Sequence, residues 1–378
     1  MTANGNVKFG TSHKIKQVGR MDLPGGGLVA VENGYAYVGH MDPPYGTSIV
    51  DVRDPKHPKL VSQLKVPEGI HSHKVRVSGD VMLVNYERYK SNREAQGGLK
   101  IFDISNKARP REIAFFKAAD KGVHRFTFDG RYAYLSPVME GYVGNIVMIL
   151  DLKDPSRPEE VGRWWMQGQW IGGGETPTWQ GTDHRCHHPI RRGDRLYVSY
   201  WHGGFVILDI SDMSKPKLVS HLDWSPPYPS PTHTILPMAN KLMGRDIIIV
   251  TDEETEQKLA PMPPAFLWVV DITDERRPTP ISTFMVPYDG ESTHVNRFGA
   301  HQPAEQVYDD TLYVTWFAGG LRAIDFSNPY QPKEVGYYIP FPGKGQKTVQ
   351  SNDVFRRDDG LLFLIDRYDG LEILESQI

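Results

Sequence analysis

A seven-bladed β-propeller, built from four-stranded antiparallel blades, is the all-β fold that this 378-residue sequence predicts. Three observations carry the prediction. A phrase centred on one aspartate returns about every fifty residues, each period breaks into four short alternating stretches, and the two chain ends read as parts of one blade.

The phrase reads SIVDVRDPKHPKLV around Asp51, KIFDISNKARPREI around Asp103, MILDLKDPSRPEEV around Asp151 and VILDISDMSKPKLV around Asp209. It continues as WVVDITDERRPTPI around Asp271 and RAIDFSNPYQPKEV around Asp325. Within a period, HKVRVSGD turns tightly into VMLVNYE, a variable loop leads to GLKIFDIS, and a turn rich in polar residues and proline leads to REIAFF. Val, Ile, Tyr and Phe fill these runs and Gly, Asp, Asn and Pro separate them, so the pattern is of strands and turns; helical periodicity is almost absent. Units of this size and kind suit propeller blades, because a closed ring leaves only short, protected sheet edges.

A seventh copy, GLEILESQI, puts Glu375 where the aspartate belongs and stops after its third strand. The segment KIKQVGRMDLP near the N-terminus resembles the fourth-strand text PKLVSQLKVPEG without the three strands that should precede it. The reading is one domain over residues 1–378, with residues 14–23 completing the last blade. The cores IVDV, IFDI and VILDI resemble the LVIVD-repeat proteins, a β-propeller family, over essentially the whole chain. That resemblance implies the fold; the family has no single activity to transfer.

Composition narrows the function classes. With 39% hydrophobic and 24% charged residues and a formal charge of -3, the chain reads as globular, and nucleic acid is not expected as its main partner. The start MTANGNVKFG has no apolar core and no run approaches the roughly 18 apolar residues of a membrane span, so a cytoplasmic protein without membrane contact is expected. Oligomeric state is left open. Cys186 is alone, which excludes an intramolecular disulfide and a thiolate-rich zinc site; any metal must rest mainly on nitrogen and oxygen.

One rim of the propeller carries the long loops, including WWMQGQWIGGGETPTWQGTDHRCH, DWSPPYPSPTH and VPYDGESTHVNRFGAH. Long loops on a rigid scaffold are where binding and catalysis concentrate. Nine of the fourteen histidines lie on the approaches to first strands at this rim. Their register is shared: His73 stands six residues before the turn glycine Gly79, His124 before Gly130 and His187 before Gly193, and His233 and His301 hold the same role ahead of less regular turns. Asn352 takes the place in the seventh blade, and the first blade has no ligand near Gly27 and Leu28.

First strands surround the axis, so the register predicts a multi-histidine site for a divalent transition metal: iron, copper, zinc or manganese. A mostly imidazole set without obvious first-strand carboxylates is poor for magnesium or calcium. In architecture this is similar to the carotenoid cleavage oxygenases and the selenium-binding or methanethiol oxidase proteins, which hold an axial metal with histidines from several blades; their local motifs are not present here. The competing account is that each histidine caps its own strand.

Around the metal set, Glu253 and Glu254 follow the apolar strand DIIIV directly and are candidates for a general base, with Glu87 next. Arg297, with Asn296 and beside His294, is a candidate for an anionic or carbonyl oxygen. His184, His188, His294 and Asn352 are expected to face substrate, and Trp179 to wall an apolar pocket with Trp164, Trp165, Trp170, Trp201 and Tyr228. GGGE at 172–175 lacks a phosphate loop's Lys-Ser/Thr and reads as a hinge. In TDHRCHHPI, residues 182–190, the register singles out His187 and makes Cys186 a bystander.

The function expected is therefore a metal-dependent enzyme acting on a small organic substrate, aromatic ones included, with an oxygenase or oxidase favoured. A lyase or hydrolase using the ion as a Lewis acid is the first alternative. A non-catalytic interaction scaffold with a structural metal is the second.

Overall fold

The computed structural model describes residues 8–89, 95–179, 183–255, 263–287 and 297–378. His294 and Asn296 lie outside the described residues. Seven antiparallel sheets run in chain order as the blades of a β-propeller. One 3-10 turn, Ile171–Gly173, is the sole helical element among the described residues, and no helix is long and apolar enough to cross a membrane.

The third blade shows the plan. Its strands Val123–Phe128, Tyr132–Pro137, Val147–Asp151 and Glu159–Trp164 pair strictly in sequence order, which is the cheapest antiparallel topology because every connection is a hairpin. Burial follows that order. Tyr134, Leu135, Ile149 and Leu150 in the middle strands are at most 1% exposed, while the outer strand begins with two exposed glutamates. Middle strands are covered on both faces and so read as continuous aliphatic runs.

The recurrent aspartate is a turn device. The carboxylates of Asp51, Asp103, Asp151, Asp209, Asp271 and Asp325 each accept the backbone N–H two residues ahead, at 2.8–3.1 Å. Three residues further on, Asp54, Asn106, Asp154, Asp212, Asp274 and Asn328 repeat the arrangement at 3.0–3.1 Å. A short side chain that mimics a backbone turn explains why the phrase accepts Asp or Asn there. Backbone hydrogen bonding from Ser105 is the largest of the contacts holding the Asp103 carboxyl down at about 2.

The described chain divides into two compact units. One comprises Met1–Val29, Asp54–Pro58 and Trp224–Ile378; the other comprises Ala30–Arg53 and Lys59–Asp223. The fifth to seventh blades belong to the first unit and the second to fourth to the second.

In the first unit, Ile15–Pro24 pairs with Asp369–Ser376 as the outer strand of the seventh blade, whose other strands are Ser351–Arg356 and Leu361–Asp366. Ile15 is 1% exposed and packs among Tyr313, Leu362 and Leu374. One feature was not expected from the sequence. Thr11–His13 pairs with Lys333–Ile339 on the outer edge of the sixth blade, so the N-terminal segment serves two blades. The inner segment of that sixth sheet runs through residues 301–304, where His301 and Ala304 donate to the carbonyls of Thr315 and Tyr313 at 3.0 and 2.8 Å.

Candidate functional site

Each candidate histidine in a regular first strand occupies a β-bulge. The third-blade pairing steps from Val123↔Pro137 to Arg125↔Ser136 and leaves His124 without an opposite residue. The fourth steps over His187 between Cys186 and His188, the fifth over His233 between Thr232 and Thr234, and the seventh over Asn352 between Ser351 and Asp353. In the second blade, His71↔Glu87 and Val75↔Val84 enclose three residues on one strand against two on the other, with His73 in the middle. A bulged residue leaves the strict alternation of the pleat, so its side chain is re-aimed, and such devices gather near active sites. The sequence register of these histidines is the register of the bulge.

In the unit holding the second to fourth blades, the donor groups gather around Glu87. His124 donates from Nδ1 to Glu87 Oε2 at 2.8 Å, and its Nε2 lies 3.1 Å from Nε2 of His187. His71 and His73 stack with ring centroids 3.6 Å apart, and donor atoms of His71, His73 and Glu87 all lie within 4.8 Å of one another. Burial pushes the His124 imidazole below its ordinary value, more than the Glu87 charge lifts it. Burial acts to raise Glu87, but His124, His71 and Arg185 outweigh it and keep the carboxyl below its ordinary value. The pair is thus carboxylate beside neutral imidazole, with the proton on Nδ1 and a lone pair on Nε2, a tautomer assigned from the hydrogen-bond partners.

Asn85 holds this arrangement. Fully buried in the second strand of its blade, it accepts the Lys74 backbone N–H at 2.8 Å and donates to the Val123 and His124 carbonyls at 3.1 and 3.2 Å, clamping two bulged segments with one amide. Sequence reasoning missed it; the signal was a polar residue inside the aliphatic run VMLVNY. Gly39 serves the same place, since a Cβ there would stand 2.7 Å from the His73 carbonyl carbon.

A cleft of about 550 Å³ opens beside these groups, lined by Glu87 and His124 together with Tyr142, Trp179, His184 and Arg185. That size suits a small organic molecule. Trp179 and His184 form one wall as a parallel stack, centroids 4.7 Å apart and planes 4° from parallel. Burial lowers the His184 imidazole from its ordinary value. Trp201 packs on His187 at 4.8 Å and beneath the Arg185 guanidinium at 4.4 Å. Trp165 and Trp170 instead cluster with Tyr142, and Trp164 packs edge-on against Tyr200. His188 is 0% exposed, and its backbone N–H donates to Ser199 Oγ. Cys186 is likewise buried, which pushes its thiol up and out of the reactive range.

In the other unit, His233 and His301 lie with ring centroids 4.2 Å apart. His301 donates from Nδ1 to the Asn352 carbonyl at 2.6 Å. His233 Nδ1 donates to Thr234 Oγ1 at 2.8 Å, because that hydroxyl's own hydrogen goes to Gln302 Oε1 at 3.1 Å. Both rings therefore present Nε2. The two oxygens of Glu253 stand 3.9 Å from these nitrogens, and Oε1 also accepts from Arg297 Nη1 at 3.3 Å. In each unit, one glutamate at the end of a second strand stands beside the histidines: Glu87 beside His124, and Glu253 beside His233 and His301.

The adjacent acids differ from Glu253. Glu254 accepts the Ala265 backbone N–H at 3.3 Å. Asp252 is buried among Trp224, Trp268 and Thr232, accepting from Trp268 Nε1 at 2.9 Å and Thr232 Oγ1 at 3.3 Å; burial pushes its carboxyl up to about 8 against the pull of those donors. Tyr228 packs on Trp268 in this same cluster.

A family model described as the LVIVD repeat matches residues 27–66, 94–117, 192–223 and 306–339. No curated protein matches the sequence. Among solved structures, the streptogramin B lyase structure aligns at a TM-score of 0.57 and 12% identity over 97% of this chain and 98% of that one. The Myceliophteria thermophila Cps50 (Swd1) β-propeller domain aligns at 0.60 and 12% identity over 96% and 99%. Raptor from Chaetomium thermophilum aligns at 0.61 and 12% identity over 97% of this chain but 30% of its own. Identities this low convey the fold alone. The chain thus carries LVIVD repeats in a seven-bladed β-propeller fold.

Proposed function

We propose that this protein is a metal-dependent enzyme acting on a small organic substrate, with His73, His124, His187, His233 and His301 as its ligands for a divalent transition metal. The observation that carries the reading is the shared state of the imidazoles. His124, His233 and His301 each spend Nδ1 on a protein acceptor and keep the Nε2 lone pair, the condition in which histidine ligates metal. The bulge register extends the same placement to His73 and His187.

The donor chemistry fits iron, copper, zinc or manganese and not the oxygen-seeking magnesium or calcium. The 3.1 Å between the Nε2 atoms of His124 and His187 suits two ligands about 2.1 Å from one ion, for which an octahedral edge is about 3.0 Å and a tetrahedral one about 3.4 Å. Such an ion would supply a Lewis-acidic or one-electron centre. The chain's own groups would then orient and exclude: Glu87 fixes the His124 ring, and Trp179 and His184 wall the cleft against which a flat substrate can lie.

Oxidase or oxygenase chemistry is favoured, because neutral imidazoles leave the ion's charge intact. A Lewis-acid lyase or hydrolase is the second reading, and Glu253 is the observation in its favour: a carboxylate 3.9 Å from two imidazole nitrogens is placed to move a proton.

Elemental analysis of protein purified without an affinity tag tests the reading. Close to one transition metal per chain is expected, with occupancy falling strongly in His124→Ala. His57→Ala should leave occupancy unchanged, since His57 is exposed and paired with Asp54 at 2.9 Å. Metal-free protein whose melting is indifferent to chelator would sink the proposal.

A further inference from the structure

We propose that Arg297 and Arg367 form a subsite for an anionic group and that the substrate carries a carboxylate. The unit containing the fifth to seventh blades assembles a continuous polar cluster: Glu253 meets Arg297, His233 and His301; His301 meets Asn352; Asn352 meets Arg367. Its members converge from three blades, yet the charges within it are not balanced pairwise. Arg297 shares one oxygen of Glu253, which also stands near both imidazoles.

Arg367 donates from Nη1 to the side-chain carbonyl of Asn352 at 3.0 Å, a neutral acceptor. Among the described residues it makes no ion pair. Its sequence neighbour Asp366 is engaged elsewhere, accepting the backbone N–H groups of Gln350 and Tyr368. A part-buried guanidinium without an ion pair leaves donors in its fork to fill, and a bidentate carboxylate is the planar partner that matches them.

The surroundings fix both cations in place. Gln350 donates from Nε2 to the Arg297 carbonyl at 3.2 Å, and its own carbonyl accepts the Arg367 backbone N–H at 2.9 Å, so one fully buried residue ties the two arginines together through the main chain. Arg297 lies over the Phe317 ring at 5.5 Å, and that ring packs on His301 at 4.6 Å. Burial, and next the like charge of Arg297, depress Arg367 from its ordinary value, with Glu253 opposing them.

The statement that this anion belongs to a substrate rests on the enzyme reading above, whereas the binding itself needs no metal. The test measures binding of benzoate and of its neutral isostere benzamide by calorimetry, to chelator-stripped and to metal-loaded protein. Benzoate is expected to bind at least tenfold more tightly than benzamide in both preparations. Arg367→Gln should abolish that preference while the melting temperature stays near that of the parent, and Arg367→Lys should restore part of it. Equal binding of the two probes, or an unaltered benzoate preference in Arg367→Gln, would overturn the subsite. A preference present only in metal-loaded protein would overturn it too, by placing the carboxylate on the ion. A carboxylate preference in protein shown to hold no metal would leave the subsite standing while the metalloenzyme reading falls.

Discussion

A histidine's usefulness to a metal is decided by what its other nitrogen does. Glu87 sets this for His124, and the Asn352 carbonyl and Thr234 hydroxyl set it for His301 and His233. Removing such a partner typically weakens metal binding by about 10–100-fold. Glu87→Ala is therefore expected to raise the metal dissociation constant by about that factor in a chelator-competition titration, with the ligand residues untouched. Asp252 makes a separate prediction. Its folded-state value of about 8 lies far above the roughly 3.9 of an unfolded aspartate, so between those values the folded chain holds more protons than the unfolded one. Stability must then fall as pH rises from about 4 to about 8, by up to about 1.4 kcal/mol per pH unit, and level off above. In chelator-treated protein, Asp252→Asn should remove this slope from urea midpoints measured between pH 5 and 8. The identities of these residues were only partly legible in the sequence. The histidine register could be counted from turn glycines, but Asn85 and Arg367 matter through contacts made across strands, which no spacing within one strand displays.

At the scale of elements, the repeat phrase and the bulge have opposite visibility. The Asp–x–x–Asp/Asn spacing is local, since each carboxylate caps its own turn, and so the blade count could be read directly. A bulge is a mismatch of counts between two strands, so it appears only once pairing partners are known. The closing strand lies between these cases. Residues 14–23 were recognisable by likeness to other fourth strands, while the short pairing of Thr11–His13 with the sixth blade carried no signal in three residues. The closing strand is pinned by Arg20, which pairs with Glu372 and with Asp369, and by Gln17, which donates to Glu372 at 2.6 Å. Glu372 is raised by burial even with Arg20 beside it, so Arg20→Ala would strand a buried carboxylate. Breaking a fully buried pair costs about 3–5 kcal/mol, and Arg20 keeps partial exposure, so a loss of about 2 kcal/mol is expected in chemical denaturation. Removing the chain through residue 23 should cost far more and lower the melting temperature by more than about 10 °C, and a truncated chain of full thermal stability would refute the closing role.

For the whole molecule, seven repeats of one blade plan were legible in the sequence, because propeller architecture is written as periodicity. Chemistry was not, because the blades differ where they bind: the first offers no ligand, the second adds His71 and Glu87, and the fourth adds a tryptophan wall. A metal that binds only the folded chain must also stabilise it, by about 2.7 kcal/mol when free metal is 100-fold above the dissociation constant. Loading stripped protein should accordingly raise its melting temperature by several degrees, and His124→Ala should blunt the rise. X-ray absorption at the edge of the bound metal, in untagged protein, decides whether imidazoles hold an ion. An inner sphere of nitrogen and oxygen at about 2.0–2.2 Å is expected, with outer scattering from several imidazoles and no sulfur. An edge with no metal, or a spectrum with a sulfur neighbour or without imidazole scattering, would contradict it.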